Sequence, residues 1–239
     1  MPAEDGGVVA PIDQRFVAAL YPWIDGRSYG HGTYDNDADR DEVLRLLSRL
    51  HSVDLSDVPE AHPEDFMVPN RAGLMAALVD RHRAWQTGPY AERVRLLLIE
   101  RADEITWLLD RYDRLAVAAA GKPDRFVVSH GEPHAANTLA SPDGRLIIDW
   151  DTARIAPPER DLWMVLDASD PATPASYAPT RRFRVSQDLL DLYRVLWDLM
   201  EIAGYVAFFR TPHSESADAA ESWENLSTYI DISGRWATT

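Results

Sequence analysis

The chain has 239 residues, 46% of them hydrophobic and 26% charged, enough for one large globular domain, or one with a small appendage, whose core needs no covalent staples. It contains no cysteine, which excludes disulfides, thiolate metal sites and cysteine nucleophiles and fits a reducing compartment. Acidic residues outnumber basic ones 39 to 24, and the net charge of −15 argues against nucleic acid and anionic membrane as partners.

Met1-Pro2-Ala3-Glu4-Asp5 lacks the basic and apolar regions of a targeting segment, and no apolar run approaches the roughly 18 residues of a membrane span, so a cytoplasmic protein is expected. Val8–Ala10 and Arg15–Tyr21 are β-prone runs around Pro11-Ile12-Asp13-Gln14 and predict a hairpin. Pro22 ends it, and Asp25–Asp37, rich in Gly, Asp, Tyr and Asn, predicts a loop. The period turns helical at Arg40, with Val43, Leu44, Leu46, Leu47 and Leu50 as the apolar stripe and Asp39 as the expected N-cap. The acidic run Asp35–Glu42 reads as a solvated face and cap, and Ser52–Pro69, with three prolines, as a loop.

Helices are predicted from about Ala72 to Trp85, ended by Gly88-Pro89, and from Tyr90 to Ala120, where Ile105, Leu108, Tyr112, Leu115 and Ala119 recur at helical steps. A short β block follows. Phe126–Ser129 predicts a strand, and Asn137–Ala140 and Arg145–Asp149 predict a hairpin about Ser141-Pro142-Asp143-Gly144. After Pro157-Pro158 the pattern is helical again over Arg160–Ala168, Ser186–Phe209 and Ala217–Ile230.

The dense polar cluster is His130-Gly131-Glu132-Pro133-His134-Ala135-Ala136-Asn137, followed by Asp149-Trp150-Asp151. A zinc helix would need its glutamate beside the first histidine and no Pro133 between the pair. A zinc deaminase shares His130-x-Glu132 but requires cysteines that are absent. A glycosidase needs opposed carboxylates, a signal that so acidic a chain leaves nearly empty. Phosphoryl transfer fits every element: a carboxylate, an Asn five residues later, and a second metal carboxylate after a short hairpin. Glu132, Asn137 and Asp149 occupy those positions, with His130 two before the carboxylate. Oxygen ligands of this kind suit Mg²⁺.

The stretch His130–Asn137, the run Ile148-Asp149-Trp150-Asp151 and Pro157-Pro158-Glu159-Arg160-Asp161-Leu162-Trp163 resemble the aminoglycoside phosphotransferase family, small-molecule kinases that share the protein-kinase fold. Phe16–Tyr21, followed by Pro22-Trp23-Ile24-Asp25-Gly26, resembles that family's last N-lobe strand and hinge, and Tyr193–Phe209 with Ser222-Trp223 its C-terminal helices. The resemblance implies an α+β, protein-kinase-like fold: a residual N-lobe β-hairpin and hinge over residues 1–25, then a mainly α-helical C-lobe with a small β block over 26–239. It implies Glu132 as catalytic base, Asn137 and Asp149 as Mg²⁺ ligands, and the backbone of Tyr21, Trp23 and Ile24 as the holder of ATP. His130, His134, Asp151 and Asp161 become acceptor-binding or loop-supporting residues, and Asp198 and Glu201 an outer acidic pair for a cationic acceptor.

Two departures stand out. Glu132 replaces the family's aspartate, one methylene longer but still a carboxylate able to accept a hydroxyl proton. No Gly-rich phosphate loop precedes the hinge-like residues, where Gly6-Gly7 is a lone pair, and the one lysine of the chain, Lys122, follows the long helix. The expected function is ATP- and Mg²⁺-dependent phosphorylation of a hydroxyl on a small cationic molecule, with weak nucleotide binding. The alternative is a non-catalytic kinase-like remnant that binds a small ligand or partner. Partners are a nucleotide and a small-molecule acceptor, not nucleic acid or membrane, with self-association through an exposed N-lobe remnant.

Overall fold

A computed structural model describes residues 10–19, 23–32, 34, 36–166, 174–179 and 184–236. The first hairpin forms where the turn residues predict it. β1 (Ala10–Pro11) and β2 (Val17–Ala18) run antiparallel with Ala10 opposite Ala18. The Asp13 carboxylate closes the turn by accepting the amides of Arg15 at 2.7 Å and Phe16 at 2.9 Å. The strand positions Val8, Val9, Leu20 and Tyr21 lie outside the described residues.

Part of the expected loop is a strand. β3 (Arg27–Ser28) pairs with β5 (Thr138–Ser141), which pairs with β6 (Gly144–Ile147). Gly26 makes this approach possible, since a Cβ there would lie 2.8 Å from both the Ala140 carbonyl oxygen and the Leu139 side chain. Helix α1 (Asp37–Leu50) begins before the predicted start because its cap is Asn36, not Asp39. The Asn36 Oδ1 accepts the Asp39 amide at 2.9 Å, and its Nδ2 donates to the Asp39 carboxylate at 3.1 Å. Nor is the acidic run merely a solvated face. The buried Arg145 of β6 draws in Asp39, Glu42 at 3.0 Å, the Tyr29 hydroxyl at 3.0 Å and the Thr138 hydroxyl at 3.2 Å, which fastens the β hairpin to α1.

The proline-rich segment after α1 is pinned rather than free. The Ile155 amide donates to the His62 carbonyl at 2.8 Å, and the Glu64 amide to the Ile155 carbonyl at 2.9 Å. Ile155 belongs to β7 (Arg154–Ala156), which pairs antiparallel with β4 (Val127–Ser129). The sequence predicts β4 but not β7, a three-residue strand with no alternation long enough to read.

Helix α2 (Arg71–Asp80) stops short of Trp85, where the Arg81 guanidinium turns back onto the Leu78 carbonyl, and Trp85 reaches the core from the loop. Helices α3 (Ala91–Ala120), α4 (Glu159–Val165), α5 (Gln187–Phe209) and α6 (Ala217–Tyr229) lie close to the predicted spans, and a short α7 (Ile232–Arg235) was not foreseen. The larger core is built by Leu98, Ile105, Leu108 and Tyr112 of α3 against Leu192, Leu199, Ile202 and Val206 of α5. A second cluster joins Val43, Leu44 and Leu47 of α1 to Leu162 and Val165 of α4, and Trp163 packs against both. Removing one such leucine would cost about 2–5 kcal/mol. None of the described helices is long and apolar enough to cross a membrane.

Candidate active site

The polar cluster sits on the loop between β4 and β5, and one buried carboxylate sets its shape. Asp161, at the start of α4, is fully buried and accepts the His130 amide at 2.9 Å and the Gly131 amide at 2.6 Å. His51 Nε2 donates to the same carboxylate at 2.9 Å, and the Tyr177 hydroxyl donates to His51 Nδ1 at 2.7 Å. Burial alone would raise the Asp161 pKa, but the His51 hydrogen bond and the two loop amides outweigh it and hold the carboxyl below its ordinary value. Gly131 has φ +108°, and a Cβ there would lie 2.3 Å from an Arg160 guanidinium nitrogen. That guanidinium is itself fixed, by Glu64 at 3.0 Å, the Thr152 carbonyl at 2.8 Å and the Ser129 hydroxyl at 3.2 Å. Thr152 closes the ring by donating to the His130 carbonyl at 2.9 Å.

His130 is buried in its neutral form. Its Nε2 donates to the Ile148 carbonyl at 2.9 Å, its Nδ1 accepts the Glu132 amide at 3.2 Å, and burial pushes its pKa down. The Trp150 ring packs edge-on at 4.7 Å. This pairing ties the loop to the segment that carries Asp149. A second tie is the Ile148 amide, which donates to the Asn137 carbonyl at 2.9 Å. The Asn137 side-chain amide donates to the Glu132 carbonyl at 3.0 Å, which leaves its Oδ1 able to accept. Asp149 is held at φ +68°, a left-handed conformation that Asp tolerates better than most residues. No hydrogen bond or ion pair among the described residues engages the carboxylate of Asp149 or Asp151, and Glu132 reaches only His134 Nε2, at 4.0 Å.

Partial burial raises the Glu132 pKa, and the charges of Asp151 and Asp149 raise it further against Arg160. A carboxylate tuned this way is a better proton acceptor near neutrality. His134 packs against His31 with ring centroids 4.5 Å apart, and burial followed by the His31 charge lowers its pKa. The described residues contain no cluster of three or more His or carboxylate side chains able to hold a metal. The oxygen donors free to face a cation here are the Asn137 Oδ1 and the Asp149 carboxylate, the hard ligand type that suits Mg²⁺.

The model of the phosphotransferase enzyme family, APH, matches residues 4–196. The chain belongs to this family. The protein StrN of Streptomyces griseus is 31% identical over 96% of the chain and 70% of its own length. Stress response kinase A of Escherichia coli is 27% identical over 64% of the chain and 42% of its own length. Among solved structures, spectinomycin phosphotransferase in complex with ADP and spectinomycin superposes with a TM-score of 0.72 at 18% identity, over 97% of this chain and 74% of that one. Its AMP-bound form gives 0.71. The fold is the kinase-like α+β fold expected from the motifs.

Two cavities flank the loop that carries Gly131, Glu132 and His134. One, of about 1080 Å³, runs from His31, Tyr34 and His134 past Trp163 and Trp197 to Arg235. The other, of about 230 Å³, is lined by Glu132, Asp151, Arg160, Trp163, Tyr193 and Met200, among others. The outer acidic pair needs correction. Asp198 is only 1% exposed and is spent on Arg235 at 2.6 Å and the Trp236 indole at 2.7 Å, so it pins the C-terminal turn and is not free to hold an ammonium group. Glu201 lies beside Tyr205 and lines neither cavity. Trp23 and Ile24 are exposed, and Tyr21 lies outside the described residues. Sequence reasoning missed His31, His51, Glu64 and Thr152. His51 meets Asp161 from 110 positions away, a pairing no local pattern signals.

Proposed function

We propose that this chain transfers the γ-phosphoryl group of ATP to a hydroxyl of a small amine-bearing molecule, of the aminoglycoside or aminocyclitol kind. The observation that carries the reading is the juxtaposition of a tethered Asn137 amide, which offers its oxygen, with uncommitted carboxylates on Glu132, Asp149 and Asp151. Glu132 accepts the proton of the acceptor hydroxyl as that oxygen attacks phosphorus, and ADP leaves. Asn137 and Asp149 would hold Mg²⁺, which when bound would neutralise charge on the transferring group. The backbone near Trp23 and Ile24, with Tyr21, holds the adenine. The arginines of the smaller cavity wall are already paired with acids, so Glu132 and Asp151 favour a cationic acceptor. Support for a nucleotide comes from the solved neighbours, which hold ADP or AMP.

The test is mass analysis of products after incubation with ATP, Mg²⁺ and a panel of amino sugars and aminocyclitols. A gain of one phosphate is expected, and Glu132→Gln should lower its rate by about 10²–10⁴-fold, the usual scale of general-base catalysis. Full activity in that variant would remove Glu132 from the mechanism. Ligand binding without any phosphorylated product would instead mark a non-catalytic binding protein.

A further inference from the structure

Tyr193 lies on the buried face of α5 and is 2% exposed, yet its hydroxyl has no hydrogen-bond partner among the described residues. A buried hydroxyl left unpaired is costly, and phenylalanine would fill the same space without that cost. Tyr193 lines the cavity of about 230 Å³ that also contains Glu132 and Asp151. Burial, and next the nearby Glu64 charge, keep the phenol protonated at neutral pH, so it can donate as well as accept.

The rest of the cavity wall describes what fits. Trp163, Leu196, Trp197 and Met200 supply its apolar lining. In the same lining, Arg160 holds Glu64 at 3.0 Å and Arg154 faces Asp65 at 3.8 Å, so those charges are internally balanced. Glu132 and Asp151 are the acids left over. The volume is below the roughly 300–1,000 Å³ of pockets that take drug-sized ligands, so it admits one ring and not two or three. A six-membered ring with apolar C–H faces and polar edges matches a lining that combines aromatic and aliphatic side chains with uncommitted acids.

We infer that Tyr193 is a specificity-determining residue for the acceptor: its hydroxyl bonds a ring substituent of a single amino-sugar or aminocyclitol ring whose reacting hydroxyl lies at Glu132. The inference rests on the phosphotransfer reading for the role of Glu132, but the subsite itself can be tested by binding alone. Isothermal calorimetry with 2-deoxystreptamine, glucosamine and myo-inositol is run on the parent and on Tyr193→Phe, alongside melting temperature and product mass with ATP and Mg²⁺. 2-Deoxystreptamine should bind the parent best and about tenfold more weakly the variant, as expected for loss of one hydrogen bond. The melting temperature of Tyr193→Phe should be equal or higher, because an unpaired hydroxyl has gone, and the KM for ATP should not change. Equal affinity in both proteins, no binding of any panel member to the parent, or a lowered melting temperature would each overturn the assignment. Tyr193-dependent binding without a phosphorylated product would keep the subsite and refute the phosphotransfer reading.

Discussion

Gly131 shows how a single residue shapes the site. At φ +108°, alanine strains the backbone by about 1–3 kcal/mol, and its Cβ would displace an Arg160 head already committed to Glu64, Ser129 and Thr152. Gly131→Ala should therefore lower both melting temperature and turnover. Unchanged values of both would show that the loop does not depend on this close approach. Asp161 gives the pH dependence. Its folded pKa is depressed below the unfolded value near 3.9, so the stability it contributes is fully present above about pH 4 and is lost as pH falls through the folded value. The acid limb of a melting-temperature profile should be shallower in Asp161→Asn than in the parent; identical limbs would contradict the linkage. At this scale the sequence displayed what lies within one loop: Glu132 and Asn137 five apart, His130 two before Glu132. It could not display the buried brace of His51 and Tyr177 behind Asp161, because those contacts span the chain and either residue alone reads as an ordinary core side chain.

Between residues and the whole molecule, elements are joined by a few polar knots. Arg145 is the knot between the β5–β6 hairpin and α1, and it does this with a planar fork that reaches Asp39, Glu42, Tyr29 and Thr138 together. Because Thr138 directly follows Asn137, slack here reaches the proposed metal ligand. Arg145→Lys keeps the charge and loses the fork, and should cost about 1–3 kcal/mol of stability, read as a lower urea midpoint. An unchanged midpoint would mean that charge alone suffices. Asp198 is the corresponding knot for α7: Asp198→Asn should loosen Arg235 and Trp236, and faster amide exchange in residues 232–236 would report it. The long helices were legible because their apolar period repeats over many turns, as in Ile105, Leu108 and Tyr112. β3 and β7 were not, because strands of two and three residues hold no period, and their pairing with β5 and β4 is decided by distant chain.

At the scale of the molecule the helical body and the first hairpin are unequal partners. α3 and α5 bury a continuous core, whereas among the described residues β1 and β2 pair with each other and with no third strand. An isolated two-stranded hairpin is marginal in water, and open edges invite pairing with another strand. The apolar side chains nearby are exposed as well: Phe16 at 58% and Trp23 at 92%. Amide exchange should therefore be fast over residues 10–19 and slowest in α3 and α5. The same features predict concentration-dependent self-association, since an exposed apolar patch beside a two-stranded hairpin gains from being covered by a second copy. Sedimentation velocity across a hundredfold range of protein concentration should show a rising weight-average mass for the parent. Phe16→Ser combined with Trp23→Ser should hold the protein at the monomer mass while leaving its melting temperature close to the parent's, because neither side chain is in the core. If the parent stays monomeric throughout that range, the hairpin edge is not an interface and its exposed apolar residues must be explained by what binds there instead, with added nucleotide the first ligand to try.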